Sequence, residues 1–204
     1  MRIGLVRMRF SPFGGAEVFL KRFISELKKK GHSIEVFSAD WPAEDGITVH
    51  RVSLNCPSFL RPIVFARNVG KAIKEAAPDV VVSLERTFSQ DIYRGADGCH
   101  REWLAKRQRF LSGIKRLAVR LSPMHRGILN LEKRLFKDQS LKYVVAISER
   151  CKEEYIRHYN LPAEKICVIY CGIDTDEFSP ERLGGLRPKA RAALGLKDDA
   201  IAVL

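Results

Sequence analysis

The chain has 204 residues, 46% of them hydrophobic, so it is long and apolar enough to bury a sizeable core rather than remain disordered. It contains neither the apolar stretch of a signal peptide nor the roughly 18 consecutive apolar residues of a membrane span, which predicts a cytoplasmic protein. Its five cysteines are odd in number and include no CxxC pair, a pattern that argues against a disulfide framework and against a zinc site.

The formal charge of +12 predicts an anionic partner, which would be a nucleic acid, an anionic lipid surface or a phosphorylated substrate. The charge is concentrated between Arg101 and Lys137, where eleven Lys or Arg residues stand against only two acids, Glu102 and Glu132. This segment alone therefore carries nine of the twelve net charges and forms a local basic patch.

The N-terminal part of the chain has the pattern of a parallel β-α-β unit. Residues 2–8 form a short, apolar, β-prone run, and residues 11–15 (SPFGG) form a turn cluster before a helical pattern begins. Apolar residues then recur every three or four positions until Gly31 ends the helix, and residues 33–39 are predicted as the next strand. Such units build open sheets with right-handed connections.

The same alternation continues along the chain. Strands are predicted at residues 47–54, 79–84, 143–147 and 165–170, with helices at residues 63–77 and 149–159. Ser148 is placed to cap the second of these helices. The six or seven strands predict an α/β fold, a Rossmann-like parallel sheet with helices on both faces.

The C-terminal part has a different composition. From residue 173 the sequence is polar and rich in Gly and Pro, like a linker, and residues 189–196 favour a short helix. Residues 200–204 (AIAVL) have the pattern of a buried strand that no helix follows. The sequence therefore predicts a domain over residues 1–172, and over residues 173–204 a linker and the start of a second α/β domain.

Ligands of open α/β sheets bind beyond the carboxyl ends of the strands, which makes the loop after the first strand a candidate site. There Gly14 and Gly15 let backbone approach a ligand, and the helix that begins behind them favours phosphate oxygens. The loop matches neither GxGxxG nor GxxxxGK, so it lacks the signatures of dinucleotide-binding and P-loop proteins. The alternative is an ordinary turn.

A second candidate site is the polar segment that follows the predicted strand 79–84. Carboxylate and imidazole groups can orient or deprotonate a hydroxyl, arginine can hold anionic groups, and an aromatic ring can stack on a sugar or base. The segment contains all of these groups and is interpreted as one loop at a strand's carboxyl end: Glu85, Arg86, Asp91, Asp97, His100, Arg101 and Trp103. The alternative is a solvated, turn-rich loop without a site.

The basic patch has the spacing of amphipathic helices, broken at Ser122 and Pro123. Cations beside aromatic and aliphatic residues are typical of helices that lie in a membrane interface. The predicted lipid contacts are Lys106, Arg107, Arg109, Lys115 and Arg116. The alternative is an ordinary helix pair with its apolar side in the core and a solvated basic side.

One further pattern is set aside. Asp174 and Asp176 form a DxD pair, but they lie in the predicted linker rather than at a strand end, so no metal is expected.

The run VVAISERCKEEYIRHYNLPAEKICVIYCGIDTDEFSP, residues 144–180, resembles the hallmark segment of retaining glycosyltransferases of family 4, which have the two-domain GT-B fold. Cys171 stands where that family has Asn. Within the family the segments 11–15 (SPFGG) and 91–99 (DIYRGADGC) are most similar to those of lipopolysaccharide core glucosyltransferases. The resemblance covers nearly the whole chain and identifies it as the N-terminal, acceptor-binding half.

The resemblance implies that a hexose is transferred, with retention and without a metal or cofactor, from a nucleotide diphosphate sugar to a hydroxyl of a lipid-linked or phosphorylated saccharide. Gly14 and Gly15 would approach the donor's diphosphate, and Asp97 matches the family's site aspartate, with a donor phosphate oxygen as the alternative base. His100 is the rival acid or base within the loop. The remaining predicted substrate contacts are Glu85, Arg86, Arg101 and Trp103.

The resemblance also implies peripheral attachment to the inner membrane through the basic patch, and donor-binding glutamates beyond residue 204. Two alternatives stay open at this point. One is a basic nucleic-acid-binding module, although no helix-turn-helix, RRM, KH or zinc pattern is present and no nucleic acid is expected. The other is a non-catalytic domain that binds sugar nucleotide.

Overall fold

The fold was analysed in a computed structural model that describes residues 1–11, 14–173, 175–176, 178–197 and 199–202. The chain divides into two compact units, Met1–Tyr170 and Cys171–Leu204.

The first unit is built on one seven-stranded sheet in which every neighbouring pair is parallel. The strand order is β3-β2-β1-β4-β5-β6-β7. The strands are β1 (Arg2–Val6), β2 (Ser33–Ser38), β3 (Ile47–Arg51), β4 (Val80–Ser83), β5 (Ile92–Gly95), β6 (Tyr143–Ala146) and β7 (Ile166–Val168). The predicted α/β class with a Rossmann-like parallel sheet is confirmed.

The α-helices among the described residues of this unit are α1 (Gly15–Lys29), α2 (Arg61–Ala76), α3 (His100–Gln108), α4 (Gly113–Leu121), α5 (Pro123–Lys137) and α6 (Glu149–Tyr159). The predicted break at Ser122 and Pro123 separates α4 from α5. The predicted cap is also present, because the Ser148 hydroxyl accepts a hydrogen bond from the backbone N–H of Cys151 at 3.2 Å.

The core lies on both faces of the sheet because successive strand residues point to opposite sides. In β1, Leu5 packs with Leu20 of α1, whereas the next residue, Val6, packs with Phe65 of α2. A further cluster joins β5 and β6 to α6 around the buried Tyr155. Burial on both faces explains why the strands are apolar without alternation.

The polar segment after the predicted strand 79–84, residues 85–104, is interpreted from the sequence as one loop. This interpretation is wrong, because strand β5 lies within the segment. The strand is four residues long and includes Arg94 and Gly95, so no apolar pattern marked it. Gly95 is required there, since an added Cβ would overlap the Tyr155 hydroxyl. Asp91 precedes β5 and therefore lies at the amino end of this strand, away from its carboxyl end. There its carboxylate pairs with Lys142 at 2.9 Å.

The second unit contains α7 (Pro180–Leu183), a short 3-10 turn and α8 (Arg187–Ala193). The helix predicted at residues 189–196 thus begins two residues earlier and ends before Gly195, which has a positive φ of 65°. Residues 200–202 are not in a strand, and the rest of the predicted strand lies outside the described residues.

Candidate active site

The candidate site begins where the direction of strand order reverses. From β1 the chain moves outward to β2 and β3, then returns to place β4 on the other side of β1. Ligands of open α/β sheets bind in the crevice beyond the carboxyl ends at such a point. The loops after β1 and β4 therefore meet at the crevice. Together they carry four of the predicted substrate contacts: Gly14, Gly15, Glu85 and Arg86.

An ion-pair network joins these two loops. The guanidinium of Arg7 donates to Glu17 at 3.0 Å and to Glu85 at 3.1 Å, and the backbone N–H of Met8 donates to the same Glu85 oxygen at 3.0 Å. Burial alone would lower the pKa of Arg7, but Glu85 and Glu17 raise it above its ordinary value. Burial raises the pKa of Glu85 although Arg7 opposes this. The Glu85 carboxylate thus already binds protein groups.

The start of α1 is open to an approaching ligand. Gly14 is extended, with φ −77° and ψ 134°, and precedes the first helical residue, Gly15. Gly15 is exposed, and a Cβ built on it would meet nothing within 4 Å. The preceding Pro12 and Phe13 of the predicted glycine loop lie outside the described residues.

Asp97 lies in the short loop between β5 and α3, at the carboxyl edge of the sheet. Its side chain is 68% exposed, and one carboxylate oxygen lies 3.7 Å from a terminal guanidinium nitrogen of Arg86. The loop opens onto a groove of about 460 Å³ whose lining includes Asp97, Trp103, Lys106, Ser148, Arg150 and Glu154. The structure therefore brings an exposed carboxylate and an exposed indole ring to one groove.

Arg86 lies beneath this loop and braces it. Its side chain is largely buried and donates to Glu132 at 2.9 Å and to the carbonyl of Gly98 at 2.9 Å. Burial would lower the pKa of Arg86, but Tyr93 and Glu132 raise it above its ordinary value, so the side chain stays cationic. The contacts of Arg86 fix the loop rather than leave the guanidinium free in the groove.

His100 begins α3 and packs in an aromatic cluster. Its Nε2 lies 3.2 Å from Nδ1 of His125, and its ring stacks on Trp103 with centroids 5.4 Å apart. Burial, together with the nearby Arg86 and His125, lowers the pKa of His100 to about 4. His100 is therefore neutral near pH 7 and a weak base. Arg101, the next residue, has an exposed side chain.

Glu132 is the residue of this site that the sequence analysis missed. It lies on α5, fully buried, and accepts hydrogen bonds from Arg86, from two backbone amides of α3 and from Tyr159. The sequence does contain a signal, because this acid stands among the apolar positions Leu131 and Leu135 of a basic helix. An acid on the buried face of a helix needs partners.

The predicted lipid contacts differ in their surroundings. Lys106 is held by Glu154 at 2.9 Å and by Glu102 at 3.2 Å, and Arg107 lies over the Trp103 ring. The other three predicted contacts are exposed on or next to α4: Arg109, Lys115 and Arg116. Of the five predicted lipid contacts, Lys106 is thus paired with carboxylates, whereas three are exposed after α3 and on α4.

The apolar side of α4 is exposed as well. Phe110 is 87% and Ile114 88% exposed, and Leu117 and Leu121 are also exposed. No residue of α4 is buried, and all nine of its residues are described. By contrast, Leu131 and Leu135 of α5 are buried. The ordinary helix-pair interpretation therefore fits α5 and is wrong for α4 within the first unit.

Across the residues that the structure describes, no three His, Cys, Asp or Glu side chains are grouped to hold a metal ion. Asp174 of the DxD pair lies outside those residues. No described helix combines the length and apolarity needed to cross a membrane.

The fold matches solved structures of GT-B glycosyltransferases. The crystal structure of WaaG, a glycosyltransferase involved in lipopolysaccharide biosynthesis, superposes with a TM-score of 0.79 at 21% identity, and the match covers 96% of this chain and 52% of that one. Sucrose-phosphate synthase from Thermosynechococcus elongatus superposes with a TM-score of 0.59 at 17% identity over 97% of this chain and 53% of that one. These matches confirm the predicted fold of a GT-B N-terminal half.

The family follows from sequence. The sequence model of glycosyltransferase family 4 matches residues 13–177, and the chain belongs to that family. Among curated proteins, lipopolysaccharide glucosyltransferase WaaG of Escherichia coli K12 is 22% identical over 201 residues, covering 97% of this chain and 52% of that protein. The chain thus spans about half the length of the relatives that it matches.

Proposed function

We propose that this chain is the acceptor-binding half of a retaining glycosyltransferase. The enzyme transfers a hexose from a nucleotide diphosphate sugar to a hydroxyl of a lipopolysaccharide-core or other lipid-linked, phosphorylated saccharide. Family 4 membership and the likeness to WaaG support the reaction class. The transfer uses no metal and no cofactor besides the donor.

The observation that carries the proposal is the groove beside Asp97. A saccharide needs a flat apolar surface for its ring face and a polar group for the reacting hydroxyl. Trp103 is 45% exposed and lines the same groove as the exposed carboxylate of Asp97. Lys106 and Arg150 line it too, but both are already paired with Glu154. The groove therefore offers an aromatic ring and a carboxylate to a saccharide acceptor.

The donor approaches from the neighbouring loop. The exposed N-terminus of α1 at Gly15 presents backbone N–H groups and the positive end of the helix dipole, which favour a diphosphate. The crevice between β1 and β4 thus receives the donor, and the loop after β5 receives the acceptor. The two substrates meet at the carboxyl edge of adjacent strands.

Asp97 orients the acceptor hydroxyl as the hydroxyl attacks the anomeric carbon. Retention follows when this attack and the departure of the nucleoside diphosphate occur on the same face of the sugar. A phosphate oxygen of the leaving nucleoside diphosphate then takes the hydroxyl proton, and Asp97 holds the hydroxyl beside the anomeric carbon. His100 is less suited to this task, since its pKa of about 4 makes it a weak base and its Nε2 contacts His125.

The α4 surface docks the enzyme on an anionic membrane, at the cytoplasmic face of the inner membrane. Exposed apolar side chains enter the interface while neighbouring cations contact lipid phosphates, each worth about 1 kcal/mol near the surface. Phe110 and Ile114 are the most exposed large apolar residues of the patch, and Lys115 and Arg116 lie beside them in sequence. Docking brings the groove close to lipid-linked acceptors.

A transfer assay tests the proposal. It compares residues 1–204 alone with an extended form, in which the same residues continue into a donor-binding α/β domain of about 180 residues. We expect the extended form to transfer hexose with retained configuration, read by NMR of the product, and residues 1–204 to bind donor weakly and turn over none. Equal micromolar donor binding by both would contradict the division of roles.

A nucleic-acid-binding module is the remaining alternative, since the basic patch also contains aromatic rings. Its specific prediction is salt-dependent binding to DNA without binding to anionic vesicles. If the chain binds DNA but not anionic vesicles, the basic patch is a nucleic-acid-binding surface. The groove would then have no membrane-bound acceptor.

A further inference from the structure

The carboxylate of Glu132 lies at the centre of a hydrogen-bond network under the Asp97 loop. One oxygen accepts from the Nε of Arg86 at 2.9 Å and from the backbone N–H of His100 at 2.7 Å. The other accepts from the Tyr159 hydroxyl at 2.5 Å and from the backbone N–H of Arg101 at 3.3 Å. The side chain is only 1% exposed. Both oxygens of a fully buried carboxylate are thus occupied.

Three of the four donors belong to the candidate site. The N–H groups of His100 and Arg101 are the first two of α3, which lack partners inside the helix and attract negative charge. Cys99 itself makes no side-chain cap, so Glu132 on another helix supplies the capping oxygens. The start of α3 is thereby fixed directly after the Asp97 loop.

The third donor acts from the other side of the loop. Arg86 spans from Glu132 to the carbonyl of Gly98, and its remaining nitrogen faces Asp97 at 3.7 Å. Gly98 has a positive φ of 68°, a conformation that few residues adopt without support. Glu132 therefore holds both the amides that follow the loop and the cation that supports it.

We propose that Glu132 is a positioning residue for the transfer reaction. It fixes the start of α3 and orients Arg86, and through both it sets the place of the Asp97 carboxylate relative to the acceptor hydroxyl. The inference rests on the proposed function of the Asp97 groove. Glu132 itself is buried and touches no substrate, so its effect is exerted through the loop.

The kinetic test uses two variants in the extended form. Glu132→Gln keeps the side chain's shape but removes its charge and turns one oxygen into a donor that faces other donors. Tyr159→Phe is the matched control, because it removes a hydrogen bond from the same carboxylate without touching Arg86 or α3. We expect Glu132→Gln to lower kcat at least about tenfold with donor KM within about twofold, and Tyr159→Phe to leave kcat within about twofold.

A second readout needs no activity. In residues 1–204, amide hydrogen exchange of His100 and Arg101 should become faster in Glu132→Gln and stay unchanged in Tyr159→Phe. Unchanged exchange at both amides in Glu132→Gln would overturn the proposal. So would faster exchange with unchanged kcat, or an equal loss of kcat in both variants. If the wild-type extended form transfers no sugar while the exchange result holds, the proposed function has failed. The role of Glu132 in fixing the start of α3 then still stands.

Discussion

The pKa of His100 leads to a test of the site that requires no substrate. The folded state lowers this pKa from 6.5 to about 4, with burial as the leading cause. Below pH 6.5 the unfolded chain therefore binds a proton that the folded chain does not accept until about pH 4. Stability that is present above pH 6.5 is lost as the pH falls through this window.

The size of the effect follows from linkage. With pKa values of 6.5 and about 4, lowering the pH from about 7.5 to about 5 removes about 2 kcal/mol of unfolding free energy at most. His100 is only partly buried, so solvent screening reduces the expected loss to about 1 kcal/mol. The charged and titratable groups that face His100 are Arg86, His125 and Glu132. Burial also lowers the pKa of His125, so His125 is expected to add to the loss of unfolding free energy on acidification.

The assay is urea unfolding of the wild type and of His100→Gln at both pH values. Glutamine cannot titrate, so the variant should lose about 1 kcal/mol less than the wild type on acidification. The comparison at about pH 7.5 serves as the internal control, because it records lost packing without proton uptake. Identical pH dependence of the two proteins would show that His100 is not desolvated and would refute the reasoning.

Two further predictions concern the patch and the sheet. Lys115→Glu with Arg116→Glu should weaken sedimentation with phosphatidylglycerol vesicles about 30-fold or more, whereas the matched pair Lys71→Glu with Lys74→Glu, exposed on α2, should not. Equal losses in both pairs would show that net charge alone attracts the vesicles. Gly95→Ala should cost about 1 to 3 kcal/mol in urea unfolding, because the new methyl overlaps the tyrosine hydroxyl packed on it. An unchanged urea midpoint for Gly95→Ala would show that β5 shifts to accommodate the added methyl group.

Much of the fold could be predicted because its signals are local. Strands that are buried on both faces are apolar without interruption, as in β1 and β4, and α6 begins at a serine cap. Strand β5 has no such signal. Its Arg94 is buried because the guanidinium lies over the Phe19 ring at 3.7 Å, a tertiary contact that sequence periodicity does not record.

The candidate site was predicted only in part for the same reason. Asp97 was proposed because it matches the family's site aspartate and lies in the polar segment after the predicted strand 79–84. The partners of Glu132 come from the loop after β4, from α3 and from α6, so nothing near it in sequence marks its role. Lys106 was grouped with the lipid contacts by its charge. Its pair with Glu102 lies within α3 at i,i+4 spacing, but its pair with Glu154 depends on how α3 packs on α6.

The most direct test of the account is the kcat of Asp97→Asn in the extended form. Asparagine keeps the size of the side chain but neither deprotonates nor strongly orients a hydroxyl, and such groups contribute about 100-fold to 10,000-fold. We expect kcat to fall within that range while the donor KM stays within about threefold, because donor binding depends on other contacts. A folded Asp97→Asn enzyme with kcat within a few-fold of the wild type would contradict the account and make His100 the better candidate.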